Sequence, residues 1–154
     1  MEIANLIAPD GVVAGLRAKD KRQVLEELSR RAAAALGLDS ATILAALVAR
    51  EQLGSTGVGK GIAVPHARIP GLPRSFGLFV RLERPIDFTA VDDQPVDLLF
   101  LLLTSEAAGA EHLPALACVS RRLREKDVAE RLRRAKDGGA LYSALTDRSP
   151  PPAV

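Results

Sequence analysis

Apolar positions along this chain recur at two spacings, and the alternation between them outlines the fold. Val24, Leu25, Leu28, Ala32 and Leu36 fall on one helical stripe. Asp20 with Gln23 resembles a capping box that opens this helix, and Gly37 is placed to stop it. A second helix over residues 41–53 carries Ile43, Leu44, Leu47 and Val48, with Asp39 and Ser40 offering an N-cap and Gly54 sitting just past its end. Strand patterns occur from Gly11 to Arg17, through Val12, Val13 and Leu16, and from Ser75 to Leu82. Val96 to Leu103 is almost wholly apolar, which predicts a central strand covered on both faces. Pro85 and Asp92-Asp93-Gln94-Pro95 mark turns. A third helix from about Ala110 to Arg124 carries Leu113, Leu116, Ala117 and Leu123, and two shorter helices follow over 127–136 and 139–146. This irregular interleaving predicts an α/β fold: one three-layer domain, residues 1–148, with a mixed sheet of about five strands and helices on both faces. Residues 149–154, rich in proline, are expected to be a disordered tail.

The 154 residues suit one core, and 47% hydrophobic content predicts folding rather than disorder. Aromatics make up only 3% and Trp is absent, so the core is aliphatic and a base-stacking platform for single-stranded nucleic acid is excluded. Glu2 and the Pro9-Asp10 pair do not fit a targeting leader, and no apolar run reaches the length of a bilayer span. With one cysteine there is no internal disulfide, so the expectation is a cytoplasmic protein without membrane insertion. Cys118 reads as a buried small hydrophobe. Arg121, Arg122, Arg124, Lys126, Arg131, Arg133, Arg134 and Lys136 crowd one region, and the pI is about 9.0. Glu125, Asp127, Glu130 and Asp137 interleave with them and the net charge is only +2, which favours a solvated helical face over nucleic-acid binding.

Chemistry concentrates between Arg50 and His66. Gly54 to Lys60 fits the nucleotide phosphate-loop pattern G-x-x-x-x-G-K, but Gly61 stands where that motif needs a magnesium-binding hydroxyl. The context is also inverted, because a helix precedes the loop and Ile62-Ala63-Val64-Pro65 continues it as extended chain. A glycine-rich loop beside a histidine suits a phosphoryl group instead. Gly57, Gly59 and Gly61 let successive amides turn toward one anion, Ser55 and Thr56 add hydroxyls, and Arg50 has the forked geometry suited to phosphate oxygens. Neutral imidazole is a good nucleophile near pH 7, and Pro65 restricts the approach of His66. On position alone His112 is expected to be exposed and idle. Near a helix start its neutral form is favoured, and it could then hydrogen-bond to His66 or to the phosphoryl group. The chemistry asks for no metal and no cofactor.

These residues resemble the IIA domain of the fructose–mannitol class of the phosphoenolpyruvate-dependent phosphotransferase system, in particular its nitrogen-related stand-alone branch. The family pattern shows in Arg50-Glu51, in Gly54-Ser55-Thr56-Gly57-Val58-Gly59, and in Gly61-Ile62-Ala63-Val64-Pro65-His66. It continues in Pro85-Ile86-Asp87-Phe88, in Gln94 to Phe100, and in His112-Leu113 with Leu116-Ala117, so that roughly residues 5–146 are covered. The resemblance implies that His66 accepts a phosphoryl group from an HPr-like carrier. It also implies that Arg50 and the loop residues Ser55, Thr56, Gly57, Val58 and Gly59 surround the phosphate, with His112 as the supporting histidine. Implied partners are regulatory targets such as potassium-transport or sensor-kinase components. The alternative is a sugar-transport IIA component that passes the group to a IIB protein. Lys60 departs from the family, which often carries a polar or acidic residue there.

Overall fold

The computed structural model describes residues 2–106 and 112–147. A 3-10 turn at Ile3–Asn5 leads into β1 (Ile7–Leu16), followed by α1 (Lys21–Leu36) and α2 (Ser40–Gln52). Three short strands come next, β2 (Gly57–Gly59), β3 (Ile62–Ala63) and β4 (His66–Ile69), then the long pair β5 (Phe76–Ile86) and β6 (Val96–Ser105). The chain closes with α3 (His112–Arg124), α4 (Lys126–Arg134) and α5 (Gly138–Thr146). The start of the third helix expected at Ala110 and the tail expected at 149–154 lie outside the described residues.

The sheet runs β1-β5-β6-β3-β2, with β4 also paired to β6. β5 and β6 are antiparallel, β1 joins β5 in parallel, and β3 and β4 join β6 in parallel. The six strands are close to the expected five or so; β2 and β4 are the short ones that the sequence pattern did not single out. β6 occupies the centre, and its side chains alternate between two cores, as a pleated strand requires. Leu99, Leu101 and Leu103 pack with α1 and α2 through Leu28, Ile43 and Leu47. Leu98, Phe100 and Leu102 pack with α3, α4 and α5 through Val119, Leu132 and Leu141. The three-layer, mixed-sheet architecture is therefore as expected.

Capping works much as the sequence indicates. The Asp20 carboxylate accepts from Gln23 N at 2.9 Å, Asp39 caps α2 through Thr42 N, and Gly37 takes the left-handed conformation at φ 69°. Gln23 reaches back to Lys19 N rather than to Asp20 N, so the box closes one residue early. Two prolines lie inside strands, and the turn expected at Pro85 is not one. Pro9 lies within β1, an edge strand whose register to β5 shifts between Ile7 and Val12. Pro85 lies within β5 beyond Arg81, where the register to β6 shifts. Edge positions and irregular ladders tolerate the missing N–H. Cys118 is half-buried against the α3–α5 core rather than fully buried.

Gly77 lies in β5 opposite Ile7 of the neighbouring β1. A Cβ there would lie 2.8 Å from the Leu6 carbonyl oxygen and 2.8 Å from two atoms of the Phe100 ring. Because the nearest partner includes backbone, Gly77→Ala is expected to destabilise the protein by about 1–3 kcal/mol, read as a lower urea midpoint with an unchanged slope.

Candidate phosphoryl-acceptor site

β3 and β4 are one strand interrupted at Val64-Pro65, and the interruption creates the site. Both segments lie on the same side of β6, with Ile62 opposite Leu98 and His66 opposite Leu102. At the junction Val64 N donates to Thr56 O, but Thr56 N turns away to Glu51. The Val64 carbonyl therefore serves the His66 ring, whose Nδ1 lies 2.8 Å away. A carbonyl only accepts, so Nδ1 carries the proton and Nε2 keeps its lone pair. Arg50 Nε donates to that Nε2 at 3.2 Å, and Arg50 Nη1 donates to Gly54 O at 2.8 Å. Arg50 thus both ties down the end of α2 and addresses the imidazole.

His66 is buried, and its pKa is held below the ordinary value, chiefly because burial disfavours the charged ring. The hydrogen bond to Val64 opposes that shift, and the Arg50 charge adds to it. The ring is neutral at pH 7, with Nε2 as its nucleophilic atom. His112 lies on the same face, its ring centroid 5.5 Å from that of His66 and tilted by 50°. It is buried rather than exposed and idle, and its Nδ1 pairs with Thr104 Oγ1 at 2.6 Å. Its pKa is likewise lowered, first by burial and then by the charges of His66, Arg68 and Arg50.

A cavity of about 570 Å³ opens over these groups, lined by Ala46, Ala49, Arg50, Gln52, Leu53, His66, Ala67, Arg68 and His112. Among the described residues, two arginines and no carboxylate line it, which suits a dianion. Arg68 was not anticipated from sequence. Its signal was its place two residues beyond His66, which puts both side chains on one face once residues 66–69 form a strand. A second cavity is lined by Arg17, Ala18, Lys19, Gln23, Glu83 and Arg84, with no histidine among them. Among the described residues no group of three or more His, Cys, Asp or Glu side chains is placed to hold a metal ion.

The glycine-rich loop is employed differently from the expectation. Ser55 Oγ donates to Phe88 O and accepts from Gly57 N. Thr56 gives both its N–H and its hydroxyl to Glu51, whose side chain is only 6% exposed and is paired with Lys21 Nζ at 3.0 Å. Lys21 in turn sits 4.5 Å over the Phe88 ring and donates to Thr89 Oγ1. Gly57 and Gly59 belong to β2, which pairs with β3, and the Val58 side chain is exposed. None of Ser55, Thr56, Gly57, Val58 or Gly59 lines the cavity; their hydroxyls and amides brace the loop instead. Lys60, at φ 58°, occupies the exposed turn between β2 and β3 and does not line the cavity either. The loop ends in a β-hairpin rather than a helix, which removes the nucleotide-binding reading.

The basic region of α3 and α4 is laced with ion pairs, Arg122–Glu125, Arg131–Asp147, Arg133–Asp97 and Arg134–Glu130. No helix among the described residues is long and apolar enough to cross a membrane.

Comparison with known proteins agrees with this geometry. Residues 5–148 match the family described as "Phosphoenolpyruvate-dependent sugar phosphotransferase system, EIIA 2". A nitrogen regulatory protein of Bradyrhizobium diazoefficiens is 48% identical over 145 residues, covering 94% of this chain and 95% of the relative. One from Klebsiella oxytoca is 39% identical over 148 residues, covering 96% and 91%. The crystal structure of nitrogen regulatory protein IIA-Ntr from Neisseria meningitidis superposes with a TM-score of 0.88 at 33% identity, over 94% of this chain and 99% of that one. With a family match over residues 5–148 and a matching fold, this chain belongs to the EIIA 2 family of the phosphoenolpyruvate-dependent phosphotransferase system, in company with the nitrogen regulatory IIA proteins.

Proposed function

We propose that the protein is a phosphohistidine carrier of a nitrogen-related phosphotransferase system, taking a phosphoryl group on His66 from an HPr-like donor and regulating partner proteins by its phosphorylation state. One observation carries this reading: His66 presents an unprotonated Nε2 at the floor of a cavity flanked by Arg50 and Arg68.

The step balances without another reactant. The lone pair of His66 Nε2 forms the new N–P bond, and the electron pair of the breaking N–P bond stays on the donor's imidazole. The His66 proton remains on Nδ1, and the positive charge that develops on the ring faces the Val64 carbonyl at 2.8 Å. The Arg50 guanidinium, which holds Nε2 before reaction, exchanges it for phosphoryl oxygens, where charge-assisted bonds are stronger. Arg68 and His112 meet the same group from the strand and from α3. Positioning and charge stabilisation dominate such transfers.

Regulation follows from what surrounds the cavity. Leu53 at its rim is 85% exposed, and Leu113, next to His112, is 69% exposed. Exposed apolar side chains beside a reactive centre suit protein docking. A phosphoryl group adds about −1.5 to −2 charge in their midst, enough to change which partners fit. The relatives named nitrogen regulatory proteins support this branch over transfer to a sugar-specific IIB protein. The local chemistry is the same in both, so the test is transfer from the phosphorylated protein to IIB partners compared with capture of regulatory targets.

With phosphoenolpyruvate, Enzyme I and the carrier supplied, mass spectrometry should find one phosphoryl group on the wild type and none on His66→Ala. Undiminished labelling of that variant would overturn the assignment. Arg50→Ala should slow transfer about a hundredfold without changing the circular dichroism spectrum. In NMR titrations the His66 ring should remain neutral as pH falls through the ordinary imidazole value near 6.5. Replacing Arg50 by Met should move its midpoint upward, because removing a nearby cation favours the imidazolium. A midpoint that does not move would show that Arg50 does not address the ring.

A further inference from the structure

We propose that Thr104 is a positioning residue that fixes His112 as the Nε2–H tautomer, so that an N–H donor rather than a lone pair faces the phosphoryl group; this rests on the reading of His66 as its acceptor. Thr104 stands out against its own strand. Leu98 to Leu103 are all apolar and fully buried, and Thr104 continues the strand at 0% exposure with a hydroxyl. Alternation places it on the α3 face with Leu98, Phe100 and Leu102, opposite Arg68 in the parallel ladder.

A buried hydroxyl must find a partner, and this one finds His112 Nδ1 at 2.6 Å. The direction of that bond is what matters. The Thr104 hydroxyl makes no other hydrogen bond among the described residues, and at 0% exposure water does not reach it. Were His112 Nδ1–H the donor, the Thr104 hydrogen would be a buried donor without an acceptor. With the threonine donating to Nδ1, both groups are satisfied and the ring proton sits on Nε2. Burial keeps the ring neutral, so it has one N–H and its placement is a choice. Nδ1 points toward the strand, so the Nε2 edge turns to the cavity that His112 lines.

The two histidines are thereby set to opposite tautomers by opposite partners. The Val64 carbonyl, which can only accept, makes His66 an Nδ1–H ring with a nucleophilic Nε2. The Thr104 hydroxyl, which donates, makes His112 an Nε2–H ring that stabilises the transferred group. With the other tautomer, His112 would present a lone pair to a dianion and repel it. Thr104 touches neither the phosphoryl group nor His66, and acts only through His112.

The test is ¹⁵N NMR of the ring nitrogens in wild type, Thr104→Val and Thr104→Ser, alongside the rate of phosphoryl transfer to each. The wild type should show His112 protonated at Nε2 and His66 at Nδ1. Thr104→Val, nearly isosteric, should shift His112 toward the Nδ1–H form while leaving His66 unchanged, and should slow transfer about tenfold, less than the hundredfold or more for removing a positioned donor outright, because the ring itself remains. Thr104→Ser keeps the hydroxyl and should restore the wild-type tautomer and rate, which separates this role from a packing defect. An Nδ1–H His112 in the wild type, or a Thr104→Val variant with an unchanged tautomer, overturns the proposal. A shifted tautomer with an unchanged rate overturns the role in transfer. A wild type that accepts no phosphoryl group sinks the parent reading, and the spectra still decide the tautomer by themselves.

Discussion

The hydrogen bond between His66 Nδ1 and the Val64 carbonyl exists because the sheet edge fails at one residue. A regular β2–β3 ladder would have engaged that carbonyl. Thr56 instead gives Val64 only its own carbonyl and commits its N–H to Glu51, a buried carboxylate held in turn by Lys21 from the start of α1. Pro65 then splits the strand, and its own carbonyl returns to the β6 ladder at Leu102. The result is a histidine on a rigid strand, yet with one ring nitrogen satisfied locally and the other facing a cavity. The loop's hydroxyls, which by composition look like phosphate ligands, hold this irregularity open.

Two neutral imidazoles 5.5 Å apart, beside two guanidinium groups, make an arrangement that suits an anion. Burial suppresses imidazolium formation at both rings, and the arginine charges suppress it further. In the proposed function the same cations that keep His66 unprotonated also stabilise the group it would receive. Pre-organisation of this kind suits a carrier, whose phosphoryl group must be bound well enough to form and loosely enough to leave. The cavity over His66 and its apolar rim at Leu53 give the access that the proposed transfer from another protein's histidine requires.

The core behind the site supplies its rigidity. β6 divides its side chains between two hydrophobic clusters, and the same alternation delivers Thr104 to the α3 face beneath His112. Side chains on β4, β6, α2 and α3 converge although their residues are separated by up to 62 positions, from Arg50 to His112. No local segment could bring them together.

Periodicity and capping residues settled the helices, the central strand and the three-layer architecture, because each reflects spacing within a few residues. The motif that drew attention to His66 was also local: a histidine behind Pro65, after a glycine-rich loop, is a short-range pattern. Pro85 misled because a proline's cost depends on whether its N–H would have been paired, and only the neighbouring strand decides that. Tertiary structure alone turned Ser55 and Thr56 inward, brought Arg68 and His112 over His66, and gave Thr104 a partner. Hydrogen-bond direction depends on what lies across the gap, and those neighbours come from strands and helices distant in the chain.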